Sequence, residues 1–321
     1  MKAIVRVDYG PPESLQLLEM AKPVPASDQA LVRVRAASVN ALDWRPFTLP
    51  TVLLQLTDGW KAAGRRTILG ADLAGRIEAV GPSVTRFRPG DEVFGAARGT
   101  FAEYACVAQD RLAPKPANVS LEEAAAVPVA ALTALQALRD RGKIQAGQRV
   151  LIYGAGGGVG SFAVQIAKTF GAEVTAVCGP GSVETVRRVG ADRVIDYTQE
   201  DVTRGGDRFD VIASVNGSHG ILTYRRMLAP HGIHVSLGGA LPQMLVGLLL
   251  GPLLSRLGDR TVRVMMARVN GDDLDTLREM LESGRIVSVI ARRYPLAEAR
   301  TAIQYLLQGH AAGKVVITMD Q

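Results

Sequence analysis

Apolar and polar positions alternate with a period of two along much of the first third of the chain. This alternation is typical of half-buried strands. It is clear in residues 30–36 and 75–81, and again in 91–95 after the Pro89-Gly90 turn. Short strands separated by turn residues predict a compact, barrel-like β domain.

The pattern changes near residue 119. Ser120 followed by Glu122 and Glu123 predicts a helix N-terminus, and Ala-rich sequence extends this helix to about Leu138. Strand-like and helix-like segments then alternate, which predicts a doubly wound parallel sheet. The predicted strands are 149–153, 173–177, 193–196, 211–215 and 233–237, and the predicted helices are 159–170, 183–189 and 222–228. In the tail, helices are predicted at 272–283 and 296–308 and strands at 286–289 and 314–318.

A glycine-rich turn follows the predicted strand 149–153 directly and leads into an amphipathic helix. Such a turn lets the backbone approach a pyrophosphate, whose charge meets the N–H groups at the helix N-terminus. The turn is therefore predicted to bind a dinucleotide. Its residues are Gly154, Ala155, Gly156, Gly157, Gly158, Val159 and Gly160.

The end of the second predicted strand bears on the choice of cofactor. NAD-binding versions place an acidic residue about 20 residues beyond the glycines, on the ribose 2′-hydroxyl. Residues 177–182 contain no acid, and Glu184 is the first one after them. This absence leaves room for a 2′-phosphate and favours NADP(H).

Composition and charge narrow the class of protein. The net charge is +6, from 37 basic and 31 acidic residues, but the basic residues are scattered in pairs without aromatic stacking partners, so no nucleic-acid partner is expected. Cys106 and Cys178 are too few for a disulfide framework. Residues 241–257 are Leu-rich but short and interrupted by Pro242 and Pro252, which predicts a helical loop that is buried or lines an interface rather than a membrane span. The strand-like N-terminus lacks a signal peptide, so a cytoplasmic location is expected.

Several motifs together resemble the zinc-independent quinone oxidoreductase, or zeta-crystallin-like, branch of the medium-chain dehydrogenase/reductase superfamily. The resemblance covers nearly the whole chain. Beside the glycine turn, the segments that carry it are 37–43, 69–75, 88–93, 99–104, 190–197 and 313–317.

The resemblance implies an α/β protein with a GroES-like β-barrel domain and a Rossmann domain with a doubly wound parallel sheet. The GroES-like substrate and catalytic domain would comprise residues 1–118 and 267–321, and the NADP-binding Rossmann domain residues 119–266. The predicted catalytic residues are Asn40, Trp44 and Thr133. Besides the glycine turn, the predicted cofactor-binding residues are Asn40, Thr133, Cys178, Gly179, Ser182, Tyr197, Asn216, Gly239 and Lys314. Tyr197 would help to hold the 2′-phosphate, while Gly181 stands where relatives often carry Lys or Arg.

The same comparison predicts no metal. Zinc-dependent relatives need a Cys near residue 38 and Gly-His-Glu near 70–73, since catalytic zinc takes three protein ligands. This chain has Ser38 and Gly70-Ala71-Asp72 there. Without a Lewis acid, an electron-poor small-molecule acceptor such as a quinone or enone is favoured.

A homodimer is also expected. The alternatives left open are an enoyl-thioester reductase of the same fold and a non-catalytic NADPH-binding protein, either crystallin-like or redox-sensing.

Overall fold

The fold was obtained as a computed structural model, which describes residues 1–7, 12–43, 67–215, 217–238, 251, 253–256, 258–309 and 311–319. In chain order, the described strands are β1 (Lys2–Arg6), β2 (Leu15–Glu19), β3 (Gln29–Val39), β4 (Thr67–Ile68), β5 (Asp72–Val80), β6 (Glu92–Ala96), β7 (Tyr104–Ala108), β8 (Leu112–Pro114), β9 (Arg149–Tyr153), β10 (Glu173–Cys178), β11 (Arg193–Asp196), β12 (Phe209–Ser214), β13 (Leu228–Ser236), β14 (Thr261–Val264), β15 (Ile290–Pro295) and β16 (Lys314–Thr318). The helices are α1 (Leu121–Ala125), α2 (Pro128–Gln136), α3 (Gly158–Thr169), α4 (Val183–Arg188), α5 (Ile221–Met227), α6 (Gly271–Glu282) and α7 (Ala299–Leu307).

The chain forms two compact units. Unit 1 comprises Met1–Val129, Val269–Ser283 and Ser288–Gln321, and unit 2 comprises Ala130–Arg268 and Gly284–Val287. These limits differ from the boundary expected after residue 118, because α1 lies against β3 and β5 and so belongs to unit 1.

Unit 1 is built on β-sheets. Its larger sheet has the order β15-β16-β3-β5-β6-β8, with β7 also paired to β3, and a smaller sheet has the order β2-β1-β4. The alternation predicted for residues 30–36 is observed from Val32 to Ala36, where Val32 and Val34 are buried and Arg33 is exposed, whereas Leu31 is buried as well. Burial of the apolar side chains of these strands provides the main stabilisation of the unit. The predicted GroES-like β domain is confirmed.

Unit 2 is the predicted doubly wound domain. Its described strands form a parallel sheet with the order β11-β10-β9-β12-β13-β14. Numbered along the chain from β9, this order is 3-2-1-4-5-6, the arrangement of Rossmann folds. The strand order reverses at β9, which pairs with β10 on one side and β12 on the other. Ligands of open α/β sheets bind outside the carboxyl ends of the strands at such a reversal.

The helix predicted from Ser120 to about Leu138 is interrupted. Ser120 caps α1 as expected, through a capping box with Glu123. Pro128 then begins a new helix, α2. Proline has no N–H to donate and disfavours helical geometry in the residue before it, which favours a break in the helix at this point.

The prediction of a strand at 286–289 is wrong, since the strand in this region is β15, which begins at Ile290. Instead, the Gln165 carboxamide on α3 takes both polar groups of the Val287 backbone. Its Nε2 donates to the Val287 carbonyl at 3.0 Å, and its Oε1 accepts from the Val287 N–H at 2.8 Å. A side chain therefore replaces the neighbouring strand that the apolar pattern of this segment suggested.

Candidate functional site

The glycine-rich turn lies between the end of β9 and the start of α3, at the reversal of strand order. Gly154 has φ of 85°, a left-handed conformation that favours glycine. The N–H groups of Gly154 and Ala155 both donate to the carbonyl of Val177, at 3.0 and 2.9 Å. These bonds fix the turn against β10, so the N-terminus of α3 has a defined position at the carboxyl edge of the sheet.

Two glycines of the turn meet different surroundings. A Cβ on Gly160 would lie 2.1 Å from the Gly154 carbonyl oxygen and 2.6 Å from Ala155 Cα, so only glycine fits there. A Cβ on Gly157, which caps α3, would have the Gly154 oxygen at 3.9 Å as its nearest neighbour. Gly160 therefore closes the turn internally, whereas the space beside Gly157 is open to a ligand.

Residues after β10 and β11 complete this edge. A Cβ on Gly156 would lie 2.5 Å from Ser182 Oγ, and one on Gly179 would lie 3.0 Å from Tyr197 Oη. Tyr197 is 53% exposed. The predicted positions Gly179, Ser182 and Tyr197 thus lie together with the glycine turn. Cys178 is buried at the end of β10, and burial raises the pKa of its thiol to about 11, so this side chain is uncharged at neutral pH.

No acidic side chain takes the place of a 2′-hydroxyl ligand within residues 177–182. Glu184 is exposed and pairs with Arg187 at 3.0 Å. The Asp196 carboxylate at the end of β11 accepts from the Thr198 N–H at 2.9 Å and from its hydroxyl at 2.8 Å. A Cβ on Gly181 would meet nothing within 4 Å, which leaves open volume beside this edge.

Unit 1 contains a buried polar network where β16, β3 and β5 are adjacent. Asp72 Oδ2 accepts from Ser38 Oγ at 2.6 Å, from Asn40 Nδ2 at 2.8 Å and from Lys314 Nζ at 3.2 Å. Asp72 Oδ1 accepts from the Val129 N–H at 2.8 Å. Asp72 and Ser38 are fully buried, and Asn40 and Lys314 nearly so. A buried carboxylate needs this number of donors, because desolvation of an unpaired charge is costly.

Asp43 extends this network. Its carboxyl oxygens accept from the Asn40 N–H at 2.7 Å and from the Gly70 N–H at 3.1 Å. Burial raises the pKa of the Asp43 carboxyl to about 7, and the nearby negative charge of Asp72 adds to the rise. Asp43 therefore joins the segment that carries Asn40 to the segment that carries Asp72.

The residues of this network do not fit a catalytic zinc. Zinc requires three side-chain donors of the His, Cys or carboxylate type, and Ser38 supplies a hydroxyl in place of the cysteine. The Lys314 ammonium lies 3.2 Å from the carboxylate that would have to bind the metal, and its positive charge would repel a second cation. Within the described residues, no group of three or more His, Cys, Asp or Glu side chains is placed to hold a metal ion.

The remaining predicted site residues belong neither to the glycine turn nor to the buried network. Thr133 lies in α2 and is half-buried. Trp44, Asn216 and Gly239 lie outside the described residues, as does most of the Leu-rich segment 241–257. Among the helices that the structure describes, none is long and apolar enough to cross a membrane.

A polar and aromatic cluster that the sequence did not predict lies at the carboxyl ends of β12 and β13. His234 is buried, its Nε2 lies 2.9 Å from Ser214 Oγ, and its ring stacks on Tyr224. Burial lowers the pKa of His234 to about 3, so the ring is neutral. Tyr153 Oη lies 2.8 Å from Ser218 Oγ. The sequence predicted a strand at 233–237 but not which partners its side chains meet.

Comparison with known proteins agrees with this architecture. The alcohol dehydrogenase GroES-like domain family matches residues 26–117, and the zinc-binding dehydrogenase family matches residues 189–317. The chain is 33% identical to the mitochondrial NAD(P)H oxidoreductase RTN4IP1 of Mus musculus, over 99% of this chain and 89% of that protein. It is 32% identical to the chloroplastic NADPH-dependent alkenal/one oxidoreductase of Arabidopsis thaliana, over 99% of this chain and 79% of that protein. The quinone oxidoreductase structure from Coxiella burnetii superposes with a TM-score of 0.88 at 29% identity, covering 100% of this chain and 99% of that one.

These relatives contradict the expected cytoplasmic location, because their names place them in mitochondria or chloroplasts. The expectation was based on the lack of an apolar secretory segment. That observation does not separate the cytoplasm from an organelle, since organelle transit peptides are amphipathic rather than apolar.

The order of the motifs, the two units and the relatives agree with one another over the length of the chain. The protein belongs to the quinone oxidoreductase branch of the medium-chain dehydrogenase/reductase superfamily.

Proposed function

We propose that this protein is an NADPH-dependent reductase that transfers a hydride to a quinone or an α,β-unsaturated carbonyl compound without a catalytic metal. The observation that carries the proposal is the turn between β9 and α3. Gly160 closes it from within, and the space beside Gly157 stays open at the helix N-terminus. This combination suits a pyrophosphate, whose charge is stabilised by helix N–H groups.

The preference for NADPH is supported by what surrounds the end of β10. Residues 177–182 carry no carboxylate that would repel a 2′-phosphate. The Tyr197 hydroxyl lies beside Gly179 on an exposed side chain, where it can donate a hydrogen bond to a phosphate oxygen. Gly181 gives no added positive charge, so the discrimination against NADH is expected to be moderate.

The metal-free reaction is supported by the chemistry of the donor set. Ser38, Asp72 and Lys314 form a hydrogen-bonded group with its own positive charge. A quinone or enone needs less electrophilic help than an alcohol or simple ketone, because its conjugated carbonyl already spreads the incoming negative charge. The bound nicotinamide supplies the hydride, and the protein contributes orientation and the exclusion of water.

The remaining site assignments follow the family pattern. We propose that Asn40, Trp44 and Thr133 lie near the nicotinamide and acceptor. Asn216 and Gly239 are proposed to contribute to the cofactor site, together with Cys178 and Ser182. The acceptor class is further supported by relatives whose names include quinone oxidoreductase and alkenal/one oxidoreductase.

We also propose a homodimer. β14 is the last strand of the sheet among the described residues, and Met266 just beyond it is 81% exposed. An edge strand beside an exposed apolar side chain is a suitable surface for pairing with a second copy. Light scattering on the purified protein measures this directly, and a monomeric mass at micromolar concentration would contradict it.

The cofactor assignment is tested by Tyr197→Phe, which removes one hydroxyl. We expect the Kd for NADPH to rise about tenfold, the usual size of a hydrogen bond to a charged group, and the Kd for NADH to stay unchanged. Both constants are measured by fluorescence titration of the reduced cofactor. Tyr294→Phe, in unit 1, is the matched control and should change neither value. Equal weakening of NADPH and NADH by Tyr197→Phe would contradict the 2′-phosphate assignment.

A further inference from the structure

Lys314 is a lysine with an almost completely buried side chain, 3% exposed. Its Nζ lies 2.7 Å from Asn40 Oδ1, 3.2 Å from Asp72 Oδ2 and 3.3 Å from the Val39 carbonyl oxygen. An ammonium group has three N–H donors, and three protein acceptors are present. The donors of Lys314 are thus matched by protein atoms, which argues against its predicted contact with the cofactor.

The same contacts determine the orientation of the Asn40 amide. Lys314 can only donate, so the Asn40 atom that faces it must be the oxygen. The Asn40 nitrogen then donates to Asp72 Oδ2 at 2.8 Å and to the Ser38 carbonyl at 3.2 Å. Both amide hydrogens are directed at protein acceptors, so Asn40 has none left with which to polarise the carbonyl of an acceptor.

Two residues of the network occupy positions that zinc-dependent relatives use for metal binding. Ser38 and Asp72 stand at the positions where zinc-dependent members of the superfamily are expected to carry metal ligands. Here the Asp72 carboxylate is balanced by the ammonium of Lys314, which comes from a strand 242 residues away in sequence. A buried ion pair is costly to form, and removal of one partner leaves an uncompensated charge.

We propose that Lys314 is a positioning residue that serves as an internal cation in place of a metal, holding Asp72 and the Asn40 amide in one fixed arrangement. Asn40 and Asp72 then form a rigid, buried support and do not themselves react. The contribution to turnover rests on the proposed reductase function, whereas the charge balance within unit 1 is independent of it.

A double-mutant cycle of Lys314→Met and Asp72→Asn tests the charge balance. Each single variant leaves one buried charge unpaired, and we expect its thermal midpoint to fall by about 10 °C. The double variant carries neither charge and should regain at least half of that loss. The matched control is Lys22→Met with Glu78→Gln, an exposed ion pair, for which all midpoints should stay within about 2 °C of the wild type.

Kinetics of the same variants separate positioning from simple stabilisation. At a temperature where every variant is folded, Lys314→Met should lower kcat for quinone reduction at least tenfold while the Kd for NADPH changes less than twofold. The double variant should recover part of the lost kcat. A double variant as unstable as Lys314→Met, or a Lys314→Met protein in which either the midpoint or kcat is unchanged, would overturn the proposal. If the wild-type protein reduces no quinone or enone, the proposed function fails. The thermal midpoints of the variants still test whether Lys314 balances the charge of Asp72.

Discussion

Asp43 shows how one buried side chain can connect separate segments of the site. Its carboxyl accepts from the backbone N–H groups of Asn40 and Gly70, and Gly70 has φ of 98°, in the left-handed region that favours glycine. A Cβ on Gly70 would also lie 2.4 Å from Thr100 Oγ1. The bend at residue 70 therefore depends on glycine, and the Asp43 carboxyl holds it in place.

The raised pKa of Asp43 predicts a dependence of stability on pH. Its pKa is about 7 in the folded protein and near 3.8 when exposed, so between these values the folded state binds more protons than the unfolded state. The stabilisation is complete below about pH 4 and is lost as the pH rises to 7, on the order of 2–4 kcal/mol. Asp43→Asn removes this titration.

We therefore expect the free energy of unfolding of the wild type, relative to that of Asp43→Asn, to fall as the pH rises from 5 to 8. Thermal or urea unfolding across this range measures it. Asp28→Asn is a suitable control, since Asp28 precedes β3 on the exposed surface of unit 1. A difference that stays constant with pH would show that Asp43 does not titrate in this range.

The sequence predicted the residues of this network better than their contacts. Ser38 and Asp72 were recognised as replacements for metal ligands, and Lys314 was recognised within the final motif. These residues are close in space because of the register of three strands, in which Ser38 pairs with Asp72 on one side and Val316 on the other. Local periodicity contains no information about pairing over such sequence distances, so the ion pair could not be derived from it.

At the scale of elements, the glycine turn is the feature in which sequence and structure agree most closely. Each element of the segment is local: the strand, the tight turn and the amphipathic helix follow one another within residues 149–169. Local order of this kind can be predicted from periodicity and glycine placement. The interruption at Pro128 was predictable in principle from the same rules but was outweighed by the Ala-rich composition.

Alanine substitutions in this turn should separate cofactor binding from folding. Gly157→Ala adds a methyl group to open space, so we expect a loss of stability below about 1 kcal/mol but a rise of at least tenfold in the Kd for NADPH. Gly160→Ala forces backbone atoms apart and should cost about 1–3 kcal/mol. Gly220→Ala, which meets nothing within 4 Å, is the control. Unchanged NADPH binding in Gly157→Ala would contradict the placement of the pyrophosphate.

The Gln165 side chain takes the role of a strand neighbour for Val287, and its removal should loosen that segment. Gln165→Leu leaves a backbone N–H and C=O without their partners, and we expect a loss of about 1–3 kcal/mol with faster hydrogen exchange at residues 284–287. Gln304→Leu removes one exposed contact with Glu13 and should have little effect. Unchanged exchange in Gln165→Leu would show that other contacts hold this segment.

At the scale of the whole molecule, the two units and the order of their elements were predicted because each unit has its own periodicity. Period-two alternation marks the β-rich unit 1, and alternating strands and helices mark unit 2. The two units divide between Val129 and Ala130, because α1 has a helical pattern but packs on the strands of unit 1. The packing partner of a helix depends on the complete fold.

The metal-free reduction of a quinone or enone is tested by the oxidation of NADPH and NADH by chelator-treated protein, with 9,10-phenanthrenequinone and a small enone as acceptors. We expect turnover that resists the chelator, is faster with NADPH and occurs with at least one acceptor. Activity that is lost with the chelator and restored by zinc would contradict the metal-free assignment. Cofactor binding without turnover of either acceptor would contradict the proposed acceptor class and favour an enoyl-thioester substrate or a non-catalytic role.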